Sequence, residues 1–269
     1  MICITLMIIN IFYDVKKQVM SIKYNDIYKM VNTISNAILQ KALKTKLPIE
    51  ANIVENNFQA KNILEIHRKI MKINDKRIVL LKQIEVIDWI FGGTMFWKGK
   101  SFKTKVEATR YLKKAEDDWG QNMLKLSRPD LKASGQWTTK LGEHLAEEIF
   151  IVLGNIKGKI QKVPIKNGLH PDGEADTFMF EAKTQLYYST GTAAEKILGV
   201  PLKYRNVPDL YKKKIKIVCI GGAELRCQEF GIFPGTKKYD KNMISILSFF
   251  KKMGIEYVRM SQLLLQLVK

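Results

Sequence analysis

Three features of the sequence predict an α/β fold. Helical and strand-like periodicities alternate along the C-terminal half, glycines close several of those segments, and the N-terminal half shows apolar residues at helical spacing. Of the 269 residues, 46% are hydrophobic and 10% aromatic, enough to bury a core, and this excludes a wholly disordered chain. The length suits one large domain or two modest ones.

The apolar start, Met1 to Tyr13, is too short to span a bilayer and lacks the basic leader and small-residue cleavage site of a signal peptide. Met20 opens a more ordinary beginning, so residues 1–19 are expected to be an extension or irregular tail, with the true start at Met1 or Met20. Residues 20–135 form an expected helical region. "YNDIYKMVNTISNAILQKALK" gathers Ile27, Met30, Val31, Ile34 and Ile38 on one face, and "AKNILEIHRKIMKI" repeats the pattern. "KRIVLLKQIEVIDWIFGG" reads as a helix stopped by Gly92 and Gly93, and "KTKVEATRYLKKAEDDW" as another. The polar stretch Ser127 to Trp137, with its proline and glycine, is the expected boundary to a second region, 136–269.

That second region begins with the helix "TTKLGEHLAEEIFIVLG". The alternating "GKIQKVPI" and "ADTFMFEAKT" read as strands, followed by the short helix "TAAEKILG". "KKIKIVCIGG" reads as a buried strand, "KYDKNMISILSFFKKMG" as a helix, "IEYVRM" as a strand and "SQLLLQLVK" as a last helix. No internal repeat interrupts this order.

Lysine and arginine number 45 against 26 aspartate and glutamate, a net charge of +19 that points to a polyanionic partner. A lysine-rich surface with no such partner is the plain alternative. Three cysteines without a CxxC pair make neither a disulfide framework nor a zinc cluster, which fits a reducing setting, cytoplasmic or otherwise intracellular, and the short apolar start gives no expectation of a membrane role.

Chemistry concentrates in "HPDGEADTFMFEAK", His170 to Lys183. Strand alternation puts Thr177, Met179, Glu181 and Lys183 on one face and the apolar Phe178, Phe180 and Ala182 on the other. A carboxylate and an ammonium therefore stand side by side, with Asp172 projecting from the turn just before. Asp176 is its rival, but alternation sends Asp176 to the phenylalanine side. Two carboxylates and a lysine suit hydrolysis of a phosphodiester assisted by Mg²⁺, a hard cation that prefers oxygen ligands and phosphate. The ammonium can hold the attacking water and favour its deprotonated form.

Pro171-Asp172 followed by Glu181-Ala182-Lys183 at the end of a hydrophobic strand resembles the PD-(D/E)xK nuclease superfamily, which includes most type II restriction endonucleases. The element order from Thr138 onward looks like its core, so the resemblance implies a restriction-endonuclease-like mixed sheet flanked by helices, preceded by the helical N-terminal region. It further implies that Asp172, Glu181 and the Ala182 carbonyl hold Mg²⁺, with Lys183 catalytic. Glu143 matches the acidic residue of the preceding "GE..A" helix, Glu147 being second. The short Asp172–Glu181 gap leaves Glu174 and Asp176 as alternatives to Asp172. Gln185 is expected either to extend the site, as a polar residue just past the lysine does in several restriction enzymes, or to be an exposed strand-end glutamine. Ser189 stands where the QxxxY signature of a processive exonuclease branch requires tyrosine.

Several residues are candidates for DNA contact. The helix starting at Thr190 or Thr192 offers free N–H groups to phosphate, aided by Ser189, Lys196, Lys203 and Arg205. Arg226 and Gln228 are candidates for reading base edges, although Arg226 can instead pair with a neighbouring glutamate. "MFWKGKSFKTK", with Trp97 and Phe102, is a candidate backbone clamp or core segment. The expected protein is a Mg²⁺-dependent type II restriction endonuclease acting on double-stranded DNA. It is expected to be a homodimer, with a DNA methyltransferase as the companion such an enzyme implies. The rival expectations are a junction resolvase or repair nickase, and a non-catalytic basic DNA-binding protein.

Overall fold

The computed structural model describes residues 56–93, 102–132, 136–184 and 193–268. The chain divides into two compact units, Met1–Asn52 with Trp97–Ala108, and Ile53–Phe96 with Thr109–Lys269. Apart from 102–108, the described residues belong to the second. The expected tail 1–19, the expected helix from Asn25 and Trp97 lie outside the described residues.

The described residues form fourteen elements. α1 (Asn56–Met71), α2 (Ile84–Ile90), α3 (Lys105–Ser127) and α4 (Trp137–Val152) come first. A hairpin of β1 (Gly173–Glu174) and β2 (Phe178–Lys183) follows, then the short helices α5 (Ala193–Leu198), α6 (Val200–Lys203) and α7 (Val207–Tyr211). β3 (Lys214–Cys219), α8 (Gly222–Glu229), α9 (Lys241–Lys252), β4 (Ile255–Arg259) and α10 (Met260–Leu265) complete the order. The sheet runs β1-β2-β3-β4; β1 is antiparallel to β2, and β2, β3 and β4 are mutually parallel. The protein is thus mixed α/β, with a four-stranded mixed sheet flanked by helices. No helix among the described residues is long and apolar enough to cross a membrane.

Alternation along β2 sorts its side chains into two cores, as the sequence predicts. Phe178, Phe180 and Ala182 join Leu141, Leu145 and Phe150 of α4, while Met179 joins Ile215, Ile217 and Tyr204 on the other face. Phe150 meets Phe178 edge-on at 4.8 Å and Phe180 at 5.2 Å between ring centroids. The first core also takes in Ile63, Ile66 and Ile70 of α1 and Trp89 of α2. The boundary expected at Ser127–Trp137 therefore marks no break in the hydrophobic core.

Two expected elements differ. Residues 76–83 are not helical, because the buried Glu148 carboxylate accepts the N–H groups of Val79 (3.1 Å), Leu80 (2.9 Å) and Leu81 (2.8 Å). Those donors, taken by a distant side chain, are lost to any helical ladder. "GKIQKVPI" forms no strand, only an isolated bridge between Lys166 and Leu169 after it. Its backbone carbonyls are met by side chains instead: Arg77 reaches Gly158, and Tyr211 reaches Pro164.

The hairpin is seated by two close approaches. A Cβ at Gly173 would fall 2.0 Å from the Phe180 ring, and one at Gly142 would fall 1.9 Å from Thr184 Cγ2. Glycine at 142 lets α4 lie against the end of β2, where the Thr184 hydroxyl donates to Thr138 O at 3.1 Å. Gly142→Ala is expected to destabilise the protein by about 1–3 kcal/mol through overpacking. Adding Thr184→Ser, which keeps the hydroxyl and removes the clashing methyl, is expected to recover most of that loss in urea denaturation.

Candidate functional site

The site begins with strand register. Gly173 faces Phe180 and Glu174 faces Met179, so extending the antiparallel pairing by one residue sets Asp172 opposite Glu181. Opposed residues on antiparallel strands share a face, and two carboxylates are thereby brought together. The Ala182 N–H donates to Asp172 Oδ2 at 2.8 Å and fixes that carboxyl. The shortness of the hairpin is what produces this pairing. Glu174 is instead paired with Lys213 at 2.8 Å, and Asp176 is exposed.

Lys183, two residues beyond Glu181 on the same face, donates to Glu181 Oε1 at 2.5 Å and to the Ala182 carbonyl at 3.2 Å. β2 lies between β1 and β3, so Glu181 is buried instead of standing on an open strand surface. Its other oxygen, Oε2, is the one buried side-chain oxygen or nitrogen among the described residues without a hydrogen-bond partner. Leaving such an acceptor unmet costs about 1–3 kcal/mol.

Burial and then the neighbouring Glu181 carboxylate push Asp172 up to about 7, against the pull of the Lys183 ammonium. Glu143, on α4, adds to the rise. It is held by Lys140 at 2.8 Å, whereas Glu147 faces the His144 ring at 3.4 Å. Of the two acidic candidates on this helix, Glu143 contributes to the field at Asp172.

Tyr204, just after α6, is a residue near the site that no motif in the sequence singles out. It is buried, its hydroxyl donates to His170 O at 3.4 Å, and Lys203 Nζ donates to that hydroxyl at 3.0 Å. Burial pushes its phenol well above the ordinary range, and the charges of Glu181 and Asp172 push it further, so it stays neutral and able to donate. No local spacing links Tyr204 to Glu181. Only the packing of the α6–α7 segment over Met179 does so.

Lys203, Lys196 and Arg205 are exposed, and Arg205 also donates to Leu202 O at 2.9 Å. Arg226 pairs with Glu229 on its own helix, α8, and the half-buried Gln228 packs where any side chain at Gly235 would sit. Glu224, on the same helix, is buried and accepts from Arg259 Nε (2.9 Å) and from the Ser261 N–H (3.0 Å). Gln185, Ser189, Thr190 and Thr192 lie outside the described residues.

Among the described residues, no group of three or more His, Cys, Asp or Glu side chains is placed to hold a metal. The oxygens on hand are two carboxylates and the Ala182 carbonyl. This set fits a hard cation that fills its remaining positions with water and substrate, as Mg²⁺ does. The unmet Glu181 Oε2 and the raised Asp172 are both what such a cation would relieve. No protein-family model matches this chain, no curated protein is significantly similar to it, and no solved structure matches it.

With a folded-state value near 7 and an ordinary value near 4, Asp172 keeps a proton that the unfolded chain has lost over that interval. Stability from this group is therefore present below pH 4, falls as pH rises from about 4 to about 7, and is level above that. In metal-free buffer the Tm of wild type should fall relative to that of Asp172→Asn across that window. Parallel Tm curves would contradict the assignment.

Proposed function

We propose that this protein is a Mg²⁺-dependent endodeoxyribonuclease of the type II restriction class, built on a restriction-endonuclease-like core. The carrying observation is the buried, unpartnered Glu181 Oε2, set among Asp172, the Ala182 carbonyl and Lys183 at the end of a sheet strand. The order of helix, hairpin, helices, strand, helices and strand from Trp137 onward supports the core. The charge of +19 supports a polyanionic substrate.

Asp172, Glu181 and the Ala182 carbonyl would hold the ion, which when bound supplies charge neutralisation at phosphate and acidifies water. Lys183 orients the attacking water and stabilises its deprotonated form. Its ammonium already touches Glu181 Oε1 and the Ala182 carbonyl, so in the absence of other cations it offsets the buried negative charge. The Tyr204 hydroxyl donates to His170 O, two residues before Asp172, and so helps hold the turn that carries that carboxylate. Glu143, at the rim on α4, raises the local negative potential that attracts a cation. A palindromic target would be met by two copies of the chain related by a two-fold axis.

Incubation with plasmid DNA and MgCl₂, followed by sequencing of the fragment ends, tests the reading. Discrete fragments with a shared end sequence are expected. A smear would indicate a non-specific nuclease, and plasmid left intact while still bound would leave only DNA binding. Lys183→Ala is expected to slow cleavage by about 10²–10⁴-fold while leaving duplex affinity nearly unchanged in gel shifts. Tyr204→Phe, which keeps the packing, is expected to raise the Mg²⁺ concentration needed for half-maximal cleavage.

A further inference from the structure

The segment between α4 and the hairpin contains Lys157, Lys159, Lys162 and Lys166, and no acidic residue occurs from Ile149 to Pro171. It has no regular secondary structure, and most of it is exposed. A long irregular stretch of this kind is uncommon in a compact domain unless it serves a function. It is also pinned at several points along its length.

Near its start, the Asp176 N–H donates to Asn155 O at 2.9 Å, and Arg77 donates to Gly158 O at 2.6 Å. Farther along, Val163 is buried in the same core as Tyr204, and its carbonyl accepts from His170 Nε2 at 3.0 Å. The Tyr211 hydroxyl lies 2.7 Å from Pro164 O and 2.8 Å from Leu169 O and can donate to either. Lys166 Nζ donates to Leu210 O at 3.0 Å and lies over the Tyr211 ring. The segment is thereby docked on α7, the element that follows Lys203 and Arg205, and its last residues run directly into Asp172.

We infer that residues 157–166 form a basic arm that holds the phosphate backbone of duplex DNA beside the carboxylate pair. The inference rests on the nuclease reading for its choice of polyanion. Lys157, Lys159 and Lys162 are exposed on a backbone that side-chain hydrogen bonds hold in place, so little ordering entropy opposes phosphate contact. Of the acidic residues on α7 and β1, Glu174 is neutralised by Lys213, and Asp209 is exposed. Backbone contacts of this kind position the duplex without reading its sequence. The arm's connection to Pro171-Asp172 would set the register between bound phosphates and the site.

The test is fluorescence anisotropy with a labelled duplex in EDTA, which permits binding without cleavage. Wild type is compared with Lys159→Gln/Lys162→Gln and, as a control, with Lys113→Gln/Lys125→Gln on the exposed face of α3. The arm variant is expected to bind about tenfold more weakly at moderate salt. Its log Kd–log salt slope should fall by about 1.8, or about 0.9 for each phosphate no longer neutralised. The control should change little. An arm variant that cleaves plasmid normally and matches wild type in affinity and slope overturns the arm and leaves the nuclease reading standing. Arm-dependent binding by a wild type that never cleaves overturns the nuclease reading and leaves the arm. Binding to anionic phosphatidylserine vesicles in preference to duplex overturns the arm's assigned partner.

Discussion

The structure turns on one cross-strand contact, the placement of Asp172 opposite Glu181 in a hairpin whose first strand is two residues long. Two carboxylates in a buried setting repel each other and lose hydration, and the protein tolerates this through a small set of compensations. The Ala182 N–H donates to one Asp172 oxygen, and the Lys183 ammonium takes one Glu181 oxygen. The other Glu181 oxygen is left unmet. Unrelieved electrostatic strain of this kind tends to sit where a protein does chemistry.

Around that contact the fold works as a scaffold. The α4 helix packs one face of β2 with Leu141, Leu145 and Phe150, and Gly142 lets it approach the strand end closely enough for Glu143 to act on Asp172. The opposite face is covered by α5 to α9, which bring Tyr204 over the site and dock the lysine-rich segment before Asp172. Rigid elements on both faces leave the carboxylates little freedom to separate. Such preorganisation lets a site present charge without reorganising at each turnover.

The same geometry separates side chains that look alike in sequence. Asp172, Glu174 and Asp176 lie within five residues of one another and are chemically similar. One faces Glu181, the next pairs with Lys213, and the third is exposed. Glu143, Glu147 and Glu148 share one helix, yet only Glu148 is turned into the core, where it caps three backbone N–H groups of a distant loop. Burial and partners decide the role of each acid.

Much of the fold was legible in the linear chain because its signals are local. Alternation marked β2, strand-like apolar segments marked β3 and β4, helical spacing marked α1, α3, α4 and α9, and the position of Glu181 relative to Lys183 follows from the two-residue period of a strand. Contacts between residues far apart in sequence were not legible. The Glu148 carboxylate overrode helical periodicity in 76–83, the lysine-rich "GKIQKVPI" found side-chain donors instead of a partner strand, and Tyr204 came within the field of Glu181 from another layer. Residue types and their faces were determined by sequence alone. Which acids meet, which are neutralised and which oxygen stays unmet were decided by tertiary packing, because long-range contacts control desolvation and hydrogen-bond supply.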